Sequence, residues 1–195
     1  MSIPATNRQL VTPAAYMEMR YNTQMAMAEV ARRLELFEKE FETIFGRIHG
    51  AVEAVDCEDA DVIMVTTGTV TATCRQVLAD LRSKDEKVGL FKLKLFRPFP
   101  ADLIYRHLKS APKIAVIDRN ISFGAGGIFA QEIRAALCNL QPRPQVFGYI
   151  AGLGGRDITP DTLVEIYRRT KDRPAPEADT TWIGLNRETV ESWCN

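Results

Sequence analysis

The stretch Pro112-Lys-Ile-Ala-Val-Ile-Asp-Arg-Asn-Ile-Ser-Phe-Gly-Ala-Gly-Gly127 carries the fold in miniature. A short run rich in β-branched residues ends abruptly in charged and glycine-rich chain, after which Gly127 to Leu137 has a helical apolar pattern. That order describes a buried strand, an elaborated loop and a helix. The same order recurs on both sides. Asp61-Val-Ile-Met-Val-Thr66 leads through Thr67 to Thr71 into a helical pattern over 72–81, and Lys87 to Leu93 leads through Lys-Leu-Phe-Arg-Pro-Phe-Pro100 into 101–108. Pro144 to Ile150 leads through Ala-Gly-Leu-Gly-Gly-Arg-Asp157 into 161–169. Four alternations of strand and helix require mainly parallel pairing, so the expected fold is α/β, a three-layer α/β/α sandwich, with its loops gathered at the carboxyl ends of the strands.

Flanking segments read differently. Thr12-Pro13 has the form of a helix start, Pro13 needing no donor in the first turn, and Gly46 marks the end, which predicts one long helix over 13–45. Met27, Val30, Leu34, Phe37, Phe41 and Ile44 alternate at spacings of three and four, one stripe that needs a partner surface. Own-domain packing is favoured for the second half, an external partner for the half around Tyr16, Met17, Met19 and Tyr21. Residues 53–60 read as an acidic linker and 172–179, with two prolines, as another. A short helix over 186–193 is expected to dock through Leu185, Val190 and Trp193. The organisation is thus an N-terminal segment with its helix (1–56), an α/β domain (57–171) and a C-terminal linker with a docking helix (172–195).

Composition narrows the function. Lys and Arg number 25 against 25 Asp and Glu, and no basic tract is interleaved with aromatics, which argues against nucleic acid. No apolar run approaches the length of a membrane span and no signal segment opens the chain, so membrane association is not expected and a cytoplasmic location is. The four cysteines are scattered without Cys-x-x-Cys spacing and read as buried or idle thiols; neither His49 nor His107 has ligand-spaced neighbours, so no metal is expected. Nucleophile elbows, Walker loops and the Gly-Asp-Gly motif of thiamine enzymes are all absent from these 195 residues.

Candidate functional positions therefore fall on the loops. Thr67, Gly68 and Thr69 suit either an anion at a helix start or simply the turn and cap of that helix. Arg97, beside Phe99, suits a carboxylate or phosphate from outside, or an internal ion pair with Asp118 or Glu132. Asp118, Arg119, Arg156 and Asp157 have the same two readings, inter-subunit contact or loop-to-loop bracing. Gly124, Gly126 and Gly127 open a helix, but position 129 is Phe, so Gly-x-Gly-x-x-Gly is not satisfied and a dinucleotide is not expected.

Arg97-Pro-Phe-Pro100, Asp118-Arg119, Gly124-Ala-Gly-Gly127, and the connector elements Tyr16-Met-Glu-Met-Arg20 and Phe45-Gly-Arg47 together resemble the alpha-type subunit of 2-oxoacid:ferredoxin oxidoreductases, pyruvate enzymes above all. The resemblance covers roughly residues 14–170 and corresponds to the domain similar to the transketolase carboxy-terminal domain, with its preceding linker helix. It implies about five strands, one antiparallel, leaving the fifth to the linker or the tail. It also implies a non-catalytic structural and subunit-contact role in an enzyme converting a 2-oxoacid and coenzyme A to acyl-coenzyme A, carbon dioxide and reduced ferredoxin. Thiamine diphosphate, magnesium, iron–sulfur clusters and coenzyme A are implied for the assembly and not for this chain. The implied partners are thiamine-binding and iron–sulfur chains, with ferredoxin reached indirectly and a homodimer as the state in isolation. The alternative reading is a free-standing small-anion-binding or regulatory module on the same fold.

Overall fold

The computed structural model describes residues 12–193, which divide into two units at His49/Gly50. The first is the helix α1 (Pro13–Phe45). Pro13 occupies its first turn, and Ala15 and Tyr16 donate to the carbonyl of Thr12, whose side chain makes no cap. Gly46 ends it in the left-handed region at φ 67°, its N–H reaching Glu42 O at 2.7 Å, a position that costs a β-carbon-bearing residue strain. No residue of α1 is buried.

The second unit is built on a six-stranded sheet. Its elements are β1 (Val52–Val55), β2 (Val62–Thr66), α2 (Val70–Arg82), β3 (Val88–Leu93), α3 (Ala101–Leu108), β4 (Lys113–Asp118), α4 (Ile128–Ala136), β5 (Gln145–Ile150), a turn of 3₁₀ helix (Leu153–Gly155), α5 (Pro160–Asp172), β6 (Thr181–Trp182) and α6 (Arg187–Trp193). Strand order is β1-β3-β2-β4-β5-β6, with every neighbouring pair parallel except β1 against β3. The four strands read from the sequence form the centre. The antiparallel strand is β1, which overlaps the start of the segment read as an acidic linker, so the sheet begins upstream of residue 57.

Alternation along each central strand splits the core into two halves, as period-two geometry requires. Met64, Leu90, Ala115, Ile117 and Tyr149 face α2 and α5, where they meet Cys74, Val77, Leu163 and Ile166. Ile63, Val65, Phe91, Ile114 and Val116 face α3 and α4, packing on Ile104, Leu108, Ala130 and Ile133. Both faces are covered, which is why these strands read as unbroken apolar runs.

The tail corrects one expectation. Residues 186–193 do form a helix over Arg187–Trp193, but it buries nothing: Leu185 and Val190 are exposed and Trp193 is 79% exposed. Anchoring comes instead from β6, whose Thr181 and Trp182 pair with Tyr149 and Ile150.

Candidate functional site: the loops at the carboxyl ends of the strands

After β2 the chain moves to β3 on one side and then crosses to β4 on the other, so the topological switch lies between β2 and β4. Open α/β sheets place their ligand crevices there. Two of the four loops, β2–α2 and β4–α4, flank this point.

The β4–α4 loop is braced from within. Asp118 is wholly buried, and its Oδ1 accepts from the backbone N–H of Phe129 at 3.0 Å and from Asn120 Nδ2 at 3.0 Å. Its Oδ2 accepts from the N–H of Ala130 at 3.1 Å, while Asn120 Oδ1 accepts from the N–H of Ile128 at 3.0 Å. Three donors of the first turn of α4 are therefore taken by the chain's own side chains, which is what a helix start otherwise offers to a bound anion. Burial raises the Asp118 carboxyl above its ordinary value, against the pull of the two backbone N–H donors and Asn120. Gly124 and Gly126, at φ 80° and 97°, close a small hairpin in which Ser122 and Gly126 exchange backbone bonds of 2.8 and 2.9 Å; Phe123 stands at its tip, 90% exposed.

Arg97 takes the internal alternative. Its guanidinium pairs with Glu132 on α4 and lies 4.0 Å from the Phe96 ring centre. Phe96 is the hub of an aromatic cluster the sequence did not single out: Phe129 meets it edge-on at 5.0 Å and Phe99 at 6.3 Å. Beside it, Thr67, Gly68, Lys92, Leu93, Lys94, Phe96 and Phe129 line a cavity of about 330 Å³ on the β2 side of the switch. Thr69 contributes its carbonyl to the N–H of Ala72 and makes no side-chain cap.

Arg156 and its loop join the tail instead. Arg156 Nη1 donates to the carbonyl of Gly184 at 2.6 Å, and Ile150 to Gly154, Arg156, Trp182, Ile183 and Leu185 enclose about 400 Å³. A β-carbon on Gly152 would lie 3.1 Å from Arg119 Nε and 2.9 Å from Ile158, so Arg119 closes on that loop from β4. A β-carbon on Gly126 would overlap the Thr180 side chain. The candidate residues thus divide among a β2/β3 cavity, a self-capped β4 loop and a β5/β6 cavity. Asp157 is exposed and joins none of them.

Thiamine diphosphate and its magnesium ion need converging oxygen ligands. The residues do not fit: among the described residues no three His, Cys, Asp or Glu side chains come together, and the one buried carboxylate, Asp118, has both oxygens spent on amides. Cys57 and Cys74 are buried, their thiols pushed up to about 11 and about 12 by desolvation; Cys138, read as one of four buried or idle thiols, is exposed.

Residues 60–163 match the family model described as pyruvate:ferredoxin oxidoreductase core domain II. The chain belongs to that family. The pyruvate synthase subunit PorA of Methanothermobacter thermautotrophicus is 45% identical over 177 residues, 91% of this chain and 44% of that protein. The ketoisovalerate oxidoreductase subunit VorA of Pyrococcus horikoshii is 36% identical over 182 residues, 91% of this chain and 46% of that one. Among solved structures, the 2-oxoglutarate:ferredoxin oxidoreductase from Magnetococcus marinus aligns over 73% of this chain and 23% of its own, with 22% identity and a TM-score of 0.47. The chain spans about half the length of the curated relatives it matches. The loops that carry the resemblance, 97–100, 118–119 and 124–127, all lie inside the matched span.

Proposed function

We propose that this chain is the non-catalytic structural and subunit-contact domain of a thiamine-diphosphate-dependent 2-oxoacid:ferredoxin oxidoreductase, with pyruvate as the oxoacid. The observation that carries the reading is the self-capped β4 loop. Asp118, Asn120 and the Arg97–Glu132 pair spend their polar atoms on holding loop shape, which suits a surface presented to another protein domain rather than a reacting centre. Relatives named for two different oxoacids share this stretch, as expected of a domain that does not select the substrate.

In the assembled enzyme, thiamine diphosphate supplies the electron sink that cleaves a 2-oxoacid; it, magnesium, the iron–sulfur clusters and coenzyme A are held by other domains or subunits. This chain's residues orient those partners and move no proton of the reaction. A cytoplasmic location and contact with ferredoxin only through the iron–sulfur chain complete the reading. The second reading, a free-standing small-anion module, rests on the β2/β3 cavity with Lys92 and Lys94 on its wall.

Co-expression with a chain carrying the Gly-Asp-Gly motif separates the two. Stable co-purification, with pyruvate-dependent reduction of an electron acceptor by the complex and none by this chain alone, supports the oxidoreductase domain. No association, together with saturable phosphate binding abolished by Lys92→Ala, supports the module.

A further inference from the structure

Residues 179–184 reach both glycine-rich loops at the carboxyl ends of β4 and β5. Within them β6 is only Thr181–Trp182, paired with Tyr149 and Ile150, too short to hold itself by pairing alone. Arginines from other elements hold the two ends. Arg134 of α4 donates through Nη2 to Asp179 O at 2.8 Å, and Arg156, beyond β5, donates through Nη1 to Gly184 O at 2.6 Å. Between them the N–H of Ile183 reaches Ile150 O at 2.9 Å. On the β5 side, Arg156 also closes the glycine turn, its N–H donating to Leu153 O at 3.4 Å, and Trp182 and Ile183 share a cavity wall with Gly152, Leu153 and Gly154. On the β4 side, Thr180 fills the space beside Gly126: its Cβ lies 3.4 Å from where a β-carbon on Gly126 would stand, and its hydroxyl lies closer still. Gly126 is one half of the bridge with Ser122 that closes the hairpin.

We infer that residues 179–184 act as a clasp that couples the 122–126 hairpin to the 152–156 turn, so that the two open and close together. Displacing the clasp takes the Thr180 wall from the hairpin and the Gly184 carbonyl from Arg156 in one event. Its bonds are few and lie at the sheet edge, whereas the central strands keep their packing on both faces, so the clasp opens as a local unit without unfolding the core. Coupling of this kind is reciprocal: whatever holds one loop closed tightens the other by the same factor. A second route between the loops bypasses the clasp, because Arg119 Nε stands 3.1 Å from the place of a β-carbon on Gly152. Any test has to separate the two. The coupling is a property of this chain and stands under either reading of its function.

Amide hydrogen exchange of the full chain, read residue by residue by nuclear magnetic resonance, tests it. The N–H groups of Ser122 and Gly126 report on the hairpin, that of Ile183 on the clasp, and those of β2 on the core. Arg156→Met should speed exchange at Gly126 roughly 3- to 10-fold, although among the described residues no hydrogen bond joins Arg156 to the hairpin. Gly126→Ala, which pushes on Thr180, should speed exchange at Ile183 in turn. Thr180→Ala should cancel the effect of Arg156→Met on Gly126, whereas Thr180→Val, which refills the space, should preserve it. Arg119→Ala should leave that effect in place. Unchanged exchange in β2 shows that the sheet remains folded in each variant. Exchange at Gly126 indifferent to Arg156→Met, an effect that survives Thr180→Ala, or one that is lost with Arg119→Ala would overturn the inference. Failure here says nothing against the oxidoreductase reading, which co-purification tests separately.

Discussion

The carboxylate of Asp118, at the end of β4, occupies the space that a β-carbon on Gly127 would need. Such an atom would lie 2.8 Å from Asp118 Cβ and closer still to its Cγ and Oδ2. Gly127 has φ −68°, an ordinary backbone, so glycine stands there because nothing larger fits beside the cap and not because the turn requires it. The strand end and the start of α4 are thereby locked together.

Gly127→Ala should therefore destabilise the sheet unit by roughly 2–4 kcal/mol, since Asp118 is buried and has no room to yield. Asp118→Ala should cost a similar amount, about 3 kcal/mol, by stranding two amide donors of α4. Urea unfolding followed by circular dichroism measures both. A cost under about 0.5 kcal/mol for either would remove the cap from the account.

Acid stability follows from three ion pairs. Glu53 is held below its ordinary value of 4.5 by Arg75, Asp59 below 3.8 by Arg82, and Glu86 below 4.5 by Lys171 with Tyr167 assisting. A carboxyl depressed in the folded state contributes stability that is complete above its unfolded pKa and is lost as pH falls through the folded value. Melting temperature should hold steady from neutrality down to the ordinary carboxylate range and then fall. Glu53→Gln and Glu86→Gln together should flatten that fall, and an unaltered acid limb would show that these pairs are not its source.

Much of this architecture is legible in the sequence. The four central strands are covered on both faces, so their apolar runs stand out, and each is followed by a helix of correct hydrophobic period. β1 is hidden because it is an edge: Glu53 points outward to Arg75 and Lys94, which gives the strand the look of an acidic linker. β6 is only two residues long, beneath any periodicity, and its place is set by contacts from elsewhere. On the loops, Arg97–Glu132 was one of two internal pairings open to Arg97, but Phe96 at the centre of three aromatic rings carries no sequence signal, since its neighbours come from α4 and from the turn before α3.

Those contacts on β6 make a further expectation. Arg134 Nη2 donates to Asp179 O at 2.8 Å and to Val146 O at 3.2 Å, and Gly148 leaves room for the Asp179 carbonyl, which would lie 2.9 Å from a β-carbon there. Arg134→Met should speed amide exchange at Ile183, which bonds Ile150 O at 2.9 Å, at least tenfold, without changing exchange in β2. Equal protection in both proteins would mean that the tail is held some other way.

Thiol chemistry offers a simple check of the core. Cys138 should react with a thiol reagent in the native protein, while Cys57 and Cys74, buried and held protonated to about 11 and about 12, should react only after unfolding. Mass mapping of the labelled sites decides it, and native labelling of Cys74 would contradict the packing of α2 on β2.

The most direct test of the central claim is an anaerobic affinity purification of the tagged full chain from its source cells, with identification of the co-purified proteins and an absorption spectrum. The account predicts recovery of a chain carrying the Gly-Asp-Gly thiamine motif, together with the brown absorbance of iron–sulfur clusters. A colourless preparation without such a chain, or 2-oxoacid turnover by this chain alone, would contradict it.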